Sequence, residues 1–231
     1  MGFHRNYDNY CRKLSKRGFI VVAILYRLAP EHPFPSAVHD CFSVAHWLEK
    51  QKNNCSEELE NADFNKICIG GDSAGGNLSV VLCNYVRDQK FNFKFRAQVI
   101  AYPGFFIHPN MPSIERKDKR YLLTDDVIQF FVESYNGDNE TEKIRHSPLL
   151  NPMNNPNGLK GLPNALVFTV DIDPLHDDGV EYVNQLKKEK IEVKHIDFKE
   201  TIHGFLVLPW VNQYKEAFNE IMSFLKKELE F

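Results

Sequence analysis

The feature that most constrains the fold is an alternation of short apolar runs with amphipathic stretches along nearly the whole chain. Residues 19–25, with the sequence FIVVAIL, form an uninterrupted β-branched run that is typical of a strand buried on both faces. Further strands are predicted at residues 66–70, 96–102, 165–170 and 192–198. Amphipathic helices are predicted at residues 36–51, 77–87, 124–135, 177–190 and 210–230. The alternation predicts an α/β fold, with a mostly parallel sheet flanked by helices on both faces.

The length, charge and hydropathy of the chain exclude several classes of function. A chain of 231 residues with 43% hydrophobic content is expected to form one domain over residues 1–231. Its 28 basic and 31 acidic residues are interspersed. The sequence therefore has no basic stripe that could bind phosphates, and a nucleic-acid partner is not expected. No run reaches the roughly 18 apolar residues of a membrane span. The sequence contains no CxxC pair, the spacing that would indicate a zinc or redox site.

Residues 71–75, with the sequence GDSAG, fit the GxSxG nucleophile elbow. In such an elbow a serine takes a strained backbone conformation between a strand and a helix, and small neighbours permit it. A plain glycine turn is the alternative, but a strand is predicted before the motif and a helix after it. We therefore predict Ser73 as a nucleophile, with the backbone N–H of Ala74 as an oxyanion donor.

A serine nucleophile needs a histidine base, which in turn needs an acid to orient it. In this fold the chain order is serine, acid, histidine. Asp173 follows the predicted strand at residues 165–170, and His203 follows the one at residues 192–198. Asp171 remains an alternative acid because it is also close to a strand end. Other nearby acids and histidines are expected to have structural roles: Asp177, Asp178, His176 and His195.

Four segments of the chain carry a family resemblance: YRLAPEHPFPSA from residue 26, GDSAGGNL from residue 71, DPLHDDG from residue 173 and HGF from residue 203. In this order they resemble the signatures of hormone-sensitive-lipase-type serine esterases, which include the arylacetamide deacetylases. The resemblance implies hydrolysis of a small-molecule carboxylic ester or arylamide, with an apolar acyl group, through an acyl-enzyme. It implies Ser73 as nucleophile, Asp173 as acid and His203 as base, with no cofactor or metal.

The sequence departs from that family at its N-terminal end. The family carries a glycine-rich HGG(G) segment, which supplies oxyanion donors, upstream of its YRLAP strand, and no such segment occurs here. Residues 7–10 are similar to the helix that follows that segment, so we expect the upstream cap and first strands to be absent. A catalytically impaired fragment, or a non-catalytic ligand-binding member of the fold like the gibberellin receptors, is therefore an alternative.

Two further expectations concern the pocket and the cellular location. Phe105 and Phe106 follow the predicted strand at residues 96–102, and they either line an acyl pocket or belong to the core. The chain as given is expected to stay in the cytoplasm. Several animal relatives are anchored in the endoplasmic reticulum membrane by an N-terminal helix, so membrane association would require sequence upstream of Met1.

Overall fold

The computed structural model describes residues 4–105, 111–115, 120–137, 144 and 146–230. At its centre is a parallel sheet whose strands lie side by side in chain order. The strands are β1 (Cys68–Asp72), β2 (Ala97–Ala101), β3 (Asn164–Ile172) and β4 (Val193–Ile202). The register pairs Asp72 with Ala101 and Ala101 with Phe168. The loops that leave the carboxyl ends of these strands therefore start along one edge of the sheet.

Helices cover both faces of the sheet. The described ones are α1 (His4–Ser15), α2 (Ser36–Asn53), α3 (Ala74–Asp88), α4 (Pro112–Glu115), α5 (Asp125–Asn136), α6 (His176–Lys188) and α7 (Asn212–Leu229). α1 and α7 pack on one face, α3 and α6 pack on the other, and α2 lies outside α3. None of these described helices has the length and apolar character needed to span a bilayer. The predicted α/β class is confirmed.

Strand β3 shows why the sequences of the central strands are uninterrupted apolar runs. Leu166, Phe168 and Val170 pack in the cluster that includes α7. Ala165 and Val167 point to the opposite face and pack against α3 and α6. All five side chains are fully buried, because a parallel strand between two helical layers has no solvent-facing side.

The prediction of a strand at residues 19–25 is wrong. This segment has neither helix nor strand hydrogen bonding, and no described strand pairs with it. Its side chains are also more exposed than a central strand allows: Leu25 is 72% exposed and Ile20 48%. Phe19 and Ile24 still pack against two different parts of the core. The apolar pattern identified residues that contact the core, but a strand also needs a neighbour that accepts and donates backbone hydrogen bonds.

The other predicted elements are present, with differences at their ends. Ser36 is the first residue of α2, and Pro35 precedes it without a side-chain cap bond. Thr124 does cap α5, because its side chain accepts a hydrogen bond from the Val127 N–H. β4 continues beyond the predicted end to Ile202, which brings it next to the loop that carries His203.

Candidate active site

Ser73 stands at the sharp turn between β1 and α3. Its φ angle is +52°, in the region that L-residues rarely adopt, and its N–H donates to the Ala101 carbonyl at 2.9 Å. The turn is possible because its neighbours are small. A Cβ atom on Gly71 would lie 2.2 Å from the carbonyl oxygen of Gly75. This backbone has the geometry expected of a nucleophile elbow, with the serine side chain at the carboxyl end of the strand.

A chain of short hydrogen bonds links the three predicted triad residues. His203 Nε2 lies 2.9 Å from Ser73 Oγ, and His203 Nδ1 lies 2.7 Å from Asp173 Oδ2. A carboxylate can only accept, so Nδ1 carries the imidazole proton and Nε2 is left to accept from the serine hydroxyl. Asp173 is fully buried, and its second oxygen accepts the Leu175 N–H at 2.9 Å. The acid is therefore held from both sides in the orientation that serves the histidine.

The alternative acids face other partners. Asp171, the open alternative, accepts the Thr201 N–H at 3.2 Å and so joins the ends of β3 and β4. Asp177 accepts a backbone N–H of α4 at 2.8 Å. Asp178 is buried and accepts the Phe105 N–H at 2.8 Å. Asp177 and Asp178 thus connect α4 and the segment after β2 to the start of α6, while Asp171 connects two strands.

The two competing histidines belong to a separate polar group between α6, β3 and β4. The His176 ring lies between Asp177, at 2.7 Å, and Asp197, at 3.3 Å. His195 Nε2 lies 2.9 Å from the Thr169 hydroxyl, and burial lowers the pKa of this histidine. Each ring is thus engaged with residues other than Ser73. Within the described part of the chain, no group of three or more potential metal ligands occurs.

A second, partly buried network adjoins the triad, and sequence reasoning missed it. Asp72 Oδ2 accepts hydrogen bonds from the hydroxyls of Tyr7, at 2.9 Å, and Tyr102, at 3.0 Å. The Tyr102 ring packs edge-on against the His203 imidazole, with 4.8 Å between centroids. Burial raises the pKa of Asp72 above its ordinary value, although the two phenol hydrogen bonds and the nearby His203 partly offset this rise. The only sequence signals were the position of Asp72 beside the serine and of Tyr102 at a strand end.

The helix that follows the serine presents backbone donors. Ala74 is the first residue of α3, so its N–H has no acceptor within the helix. The partial positive charge of a helix N-terminus adds to this donor and favours a negative charge beside Ser73. This is the position where the oxyanion of an acyl-transfer reaction would form.

Residues 1–207 match the family described as the alpha/beta hydrolase fold. The chain belongs to this family. It is 34% identical to an arylesterase of Saccharolobus solfataricus over 82% of this chain and 58% of that protein. It is 33% identical to the carboxylic ester hydrolase LipN of Mycobacterium tuberculosis over 96% of this chain and 59% of that protein. The chain thus spans less than two thirds of the length of these relatives.

A solved structure of an esterase from Pyrobaculum calidifontis superposes with a TM-score of 0.86. Its sequence is 32% identical, and the match covers 98% of this chain and 72% of that one. The resemblance read from the four sequence segments is therefore confirmed as membership of an α/β-hydrolase family with esterase relatives.

The structure also locates one of the two predicted pocket residues. The Phe105 side chain is fully buried and packs against Tyr182 of α6, with 5.0 Å between ring centroids. It belongs to the core between α3 and α6, which was the alternative to an acyl-pocket role. Phe106 lies outside the described residues.

Proposed function

We propose that this chain carries the catalytic centre of a serine hydrolase that cleaves carboxylic esters. The observation that carries the proposal is the continuous hydrogen-bond chain from Asp173 through His203 to Ser73, at 2.7 and 2.9 Å. A serine hydroxyl is a weak nucleophile unless a base removes its proton, and this arrangement supplies an oriented base. Relatives named arylesterase and carboxylic ester hydrolase support the same reaction.

The mechanism follows from the donors and acceptors of the site. Ser73 Oγ attacks the acyl carbon while His203 Nε2 takes its proton, and Asp173 stabilises the imidazolium. The Ala74 N–H donates to the oxyanion of the tetrahedral intermediate. Collapse of this intermediate expels the alcohol, which receives the proton from His203. A water molecule then attacks the acyl-enzyme, with His203 again accepting a proton, and the acid leaves with Ser73 restored.

The substrate class rests on the family resemblance. The segments GDSAGGNL and DPLHDDG are similar to those of arylacetamide-deacetylase-like esterases. We therefore extend the proposal to small esters and arylamides with an apolar acyl group, which require no cofactor.

A second candidate is a hydrolase with impaired turnover. The sequence contains no HGG(G) segment, so Ala74 is the one oxyanion donor that the recognised motifs identify. Loss of a single such donor typically lowers turnover about a hundred- to a thousandfold. Formation of a covalent adduct at Ser73 is less demanding, because a fluorophosphonate carries its own reactive centre and its reaction ends at the first step.

Two assays on the purified chain test both candidates. Hydrolysis of p-nitrophenyl butyrate measures turnover, and labelling by a fluorophosphonate measures the reactivity of the serine. Ser73→Ala is expected to abolish both signals. Ser43→Ala is the matched control, because Ser43 is an exposed serine on α2 whose hydroxyl donates to the His39 carbonyl.

The outcomes separate the candidates. Turnover and labelling that both depend on Ser73 support an active esterase. Labelling at Ser73 without turnover supports the impaired hydrolase. If Ser73→Ala leaves labelling unchanged, the nucleophile assignment is wrong.

A further inference from the structure

Asp72 is a carboxylate that the proposed mechanism does not use, although it is adjacent to the nucleophile. Both of its described side-chain partners are phenol hydroxyls, and both donate to the same oxygen, Oδ2. Burial and the charge of Asp72 raise the pKa values of Tyr7 and Tyr102 well above the ordinary range, so both remain protonated donors. Because both phenols donate, their hydrogen bonds favour the ionised form of Asp72 and oppose the effect of burial, which raises its pKa. They also fix the orientation of the Asp72 side chain.

Tyr102 connects this carboxylate to the catalytic histidine. Its backbone has a φ of +35°, and its N–H donates to the Phe168 carbonyl at 2.7 Å. At its other end, the hydroxyl bonds to Asp72 at 3.0 Å. The ring between these two anchors is 1% exposed and lies edge-on to His203, with an interplanar angle of 61°. A residue fixed at both ends in a strained conformation can hold an imidazole in one orientation.

We infer that Asp72 is a positioning residue for His203: acting through Tyr102 it fixes the imidazole ring, and its negative charge favours the imidazolium that forms during the reaction. The inference rests on the proposed function, since it assigns a role in the work of the same histidine. Asp173 holds the Nδ1 side of the ring by a hydrogen bond, and the Tyr102 ring, whose hydroxyl bonds to Asp72, packs against the imidazole. Through Tyr7, the network also ties α1 to the nucleophile elbow.

The groups that face the two side chains come from several elements. His203 is faced by Ser73 of the elbow, Asp173 after β3, Tyr102 after β2 and Asp72 at the end of β1. Asp72 is faced by tyrosines of α1, of the segment that follows it and of the β2 end: Tyr7, Tyr10, Tyr26 and Tyr102. The charged neighbours of His203 in this set are the carboxylates of Asp72 and Asp173. Removal of the Asp72 carboxyl group therefore removes one of the two acidic groups in this set.

A purely structural role for Asp72 makes a different prediction. If Asp72 only anchored α1 to the elbow, its loss would lower stability but would leave the ionisation of His203 unchanged. The pKa of His203 in folded protein therefore separates the two roles, and it can be followed in two independent ways. One is the acid limb of fluorophosphonate labelling against pH, and the other is NMR titration of the imidazole Cε1–H signal, assigned with His203→Asn.

The variants are Asp72→Asn, Tyr102→Phe and the control Asp88→Asn, whose carboxylate pairs with Arg87 and Asn155 away from the elbow. Asp72→Asn is expected to move the acid limb of the labelling profile to lower pH, because it removes an acidic group beside the histidine. Tyr102→Phe keeps the ring and loses one hydrogen bond, so it is expected to lower the plateau labelling rate about fivefold. Asp88→Asn is expected to leave both midpoints at the wild-type value.

The results distinguish failure of the inference from failure of the proposed function. A wild-type protein that is not labelled at Ser73 contradicts the proposed function, while the NMR titration still measures the effect of Asp72. Equal His203 midpoints in Asp72→Asn, Asp88→Asn and wild type overturn the inference, even if turnover falls. Should Asp72→Asn fail to fold, Tyr102→Phe decides: a wild-type plateau rate would show that the bond to Asp72 does not position the ring.

Discussion

The elbow offers a test in which two glycines of one motif are expected to behave in opposite ways. A Cβ atom on Gly71 would lie 2.2 Å from the Gly75 carbonyl oxygen, 2.4 Å from its carbonyl carbon and 2.8 Å from Ser79 Oγ. Two of these three contacts are with backbone atoms, which cannot rotate away. A Cβ atom on Gly75 would meet nothing within 4 Å. Gly71→Ala therefore forces the turn open, whereas Gly75→Ala fits the existing structure.

The expected magnitudes follow from this difference. Overpacking a site that cannot yield costs about 3 kcal/mol, so Gly71→Ala is expected to lower the free energy of unfolding by that amount. Gly75 lies in α3 without a positive φ, so alanine there is expected to stabilise the protein by about 0.4–1 kcal/mol, because it restricts the unfolded chain. At about 2–4 °C per kcal/mol for a chain of this size, Gly71→Ala lowers the melting temperature by about 6–12 °C.

Thermal unfolding followed by circular dichroism measures both variants beside wild type, and urea titration gives the free energies. Gly75→Ala is the matched control, because it makes the same chemical change four residues away in the same motif. Equal melting temperatures for the two variants would show that the elbow relaxes around the new methyl group. The steric explanation of the motif would then be wrong.

Two further predictions concern one buried and one half-buried polar side chain. Asn77→Ala removes an amide that donates to the carbonyl oxygens of Gly104 at 2.9 Å and Leu150 at 2.7 Å, so the free energy of unfolding should fall by about 2 kcal/mol in a urea titration. The exposed Asn61→Ala is its control, and an equal loss there would contradict the argument. Burial lowers the pKa of His195, so only the unfolded chain takes up a proton as the pH falls through about 6.5, and stability declines below that pH. His195→Gln should lose less stability than wild type between pH 7 and 5 in urea titrations, and parallel curves would refute this.

Much of the sheet could be predicted from the sequence, because parallel strands between two helical layers have apolar side chains on both faces. The carboxyl ends of such strands meet at one edge, so the positions of Asp173 and His203 after β3 and β4 predicted that they approach Ser73. The distances agree with that expectation, while the catalytic roles of these residues stay a prediction. Asp171 could be separated from Asp173 only in three dimensions, where it bonds to the Thr201 N–H.

Other features of the structure could not be predicted because they leave no periodic pattern in the sequence. The last residues of β4 include exposed Lys199 and Glu200, so the extension of this strand beyond Phe198 had no apolar signal. Conversely, residues 19–25 have the apolar signal, but no described strand pairs with them. The bond between Tyr7 and Asp72 joins residues 65 positions apart, and periodicity does not report contacts of that kind.

The placement of the three site residues after three different strands has a consequence for folding. Ser73 and His203 are separated by 130 positions, and Asp173 and His203 by 30. Their hydrogen-bond chain can close only when β1, β3 and β4 have all been added to the sheet beside β2. Local helices and collapsed intermediates form without these long-range contacts. Formation of the His203 hydrogen bonds therefore shows that the whole sheet has assembled. Measurements of secondary structure content alone do not distinguish the assembled sheet from partly folded states.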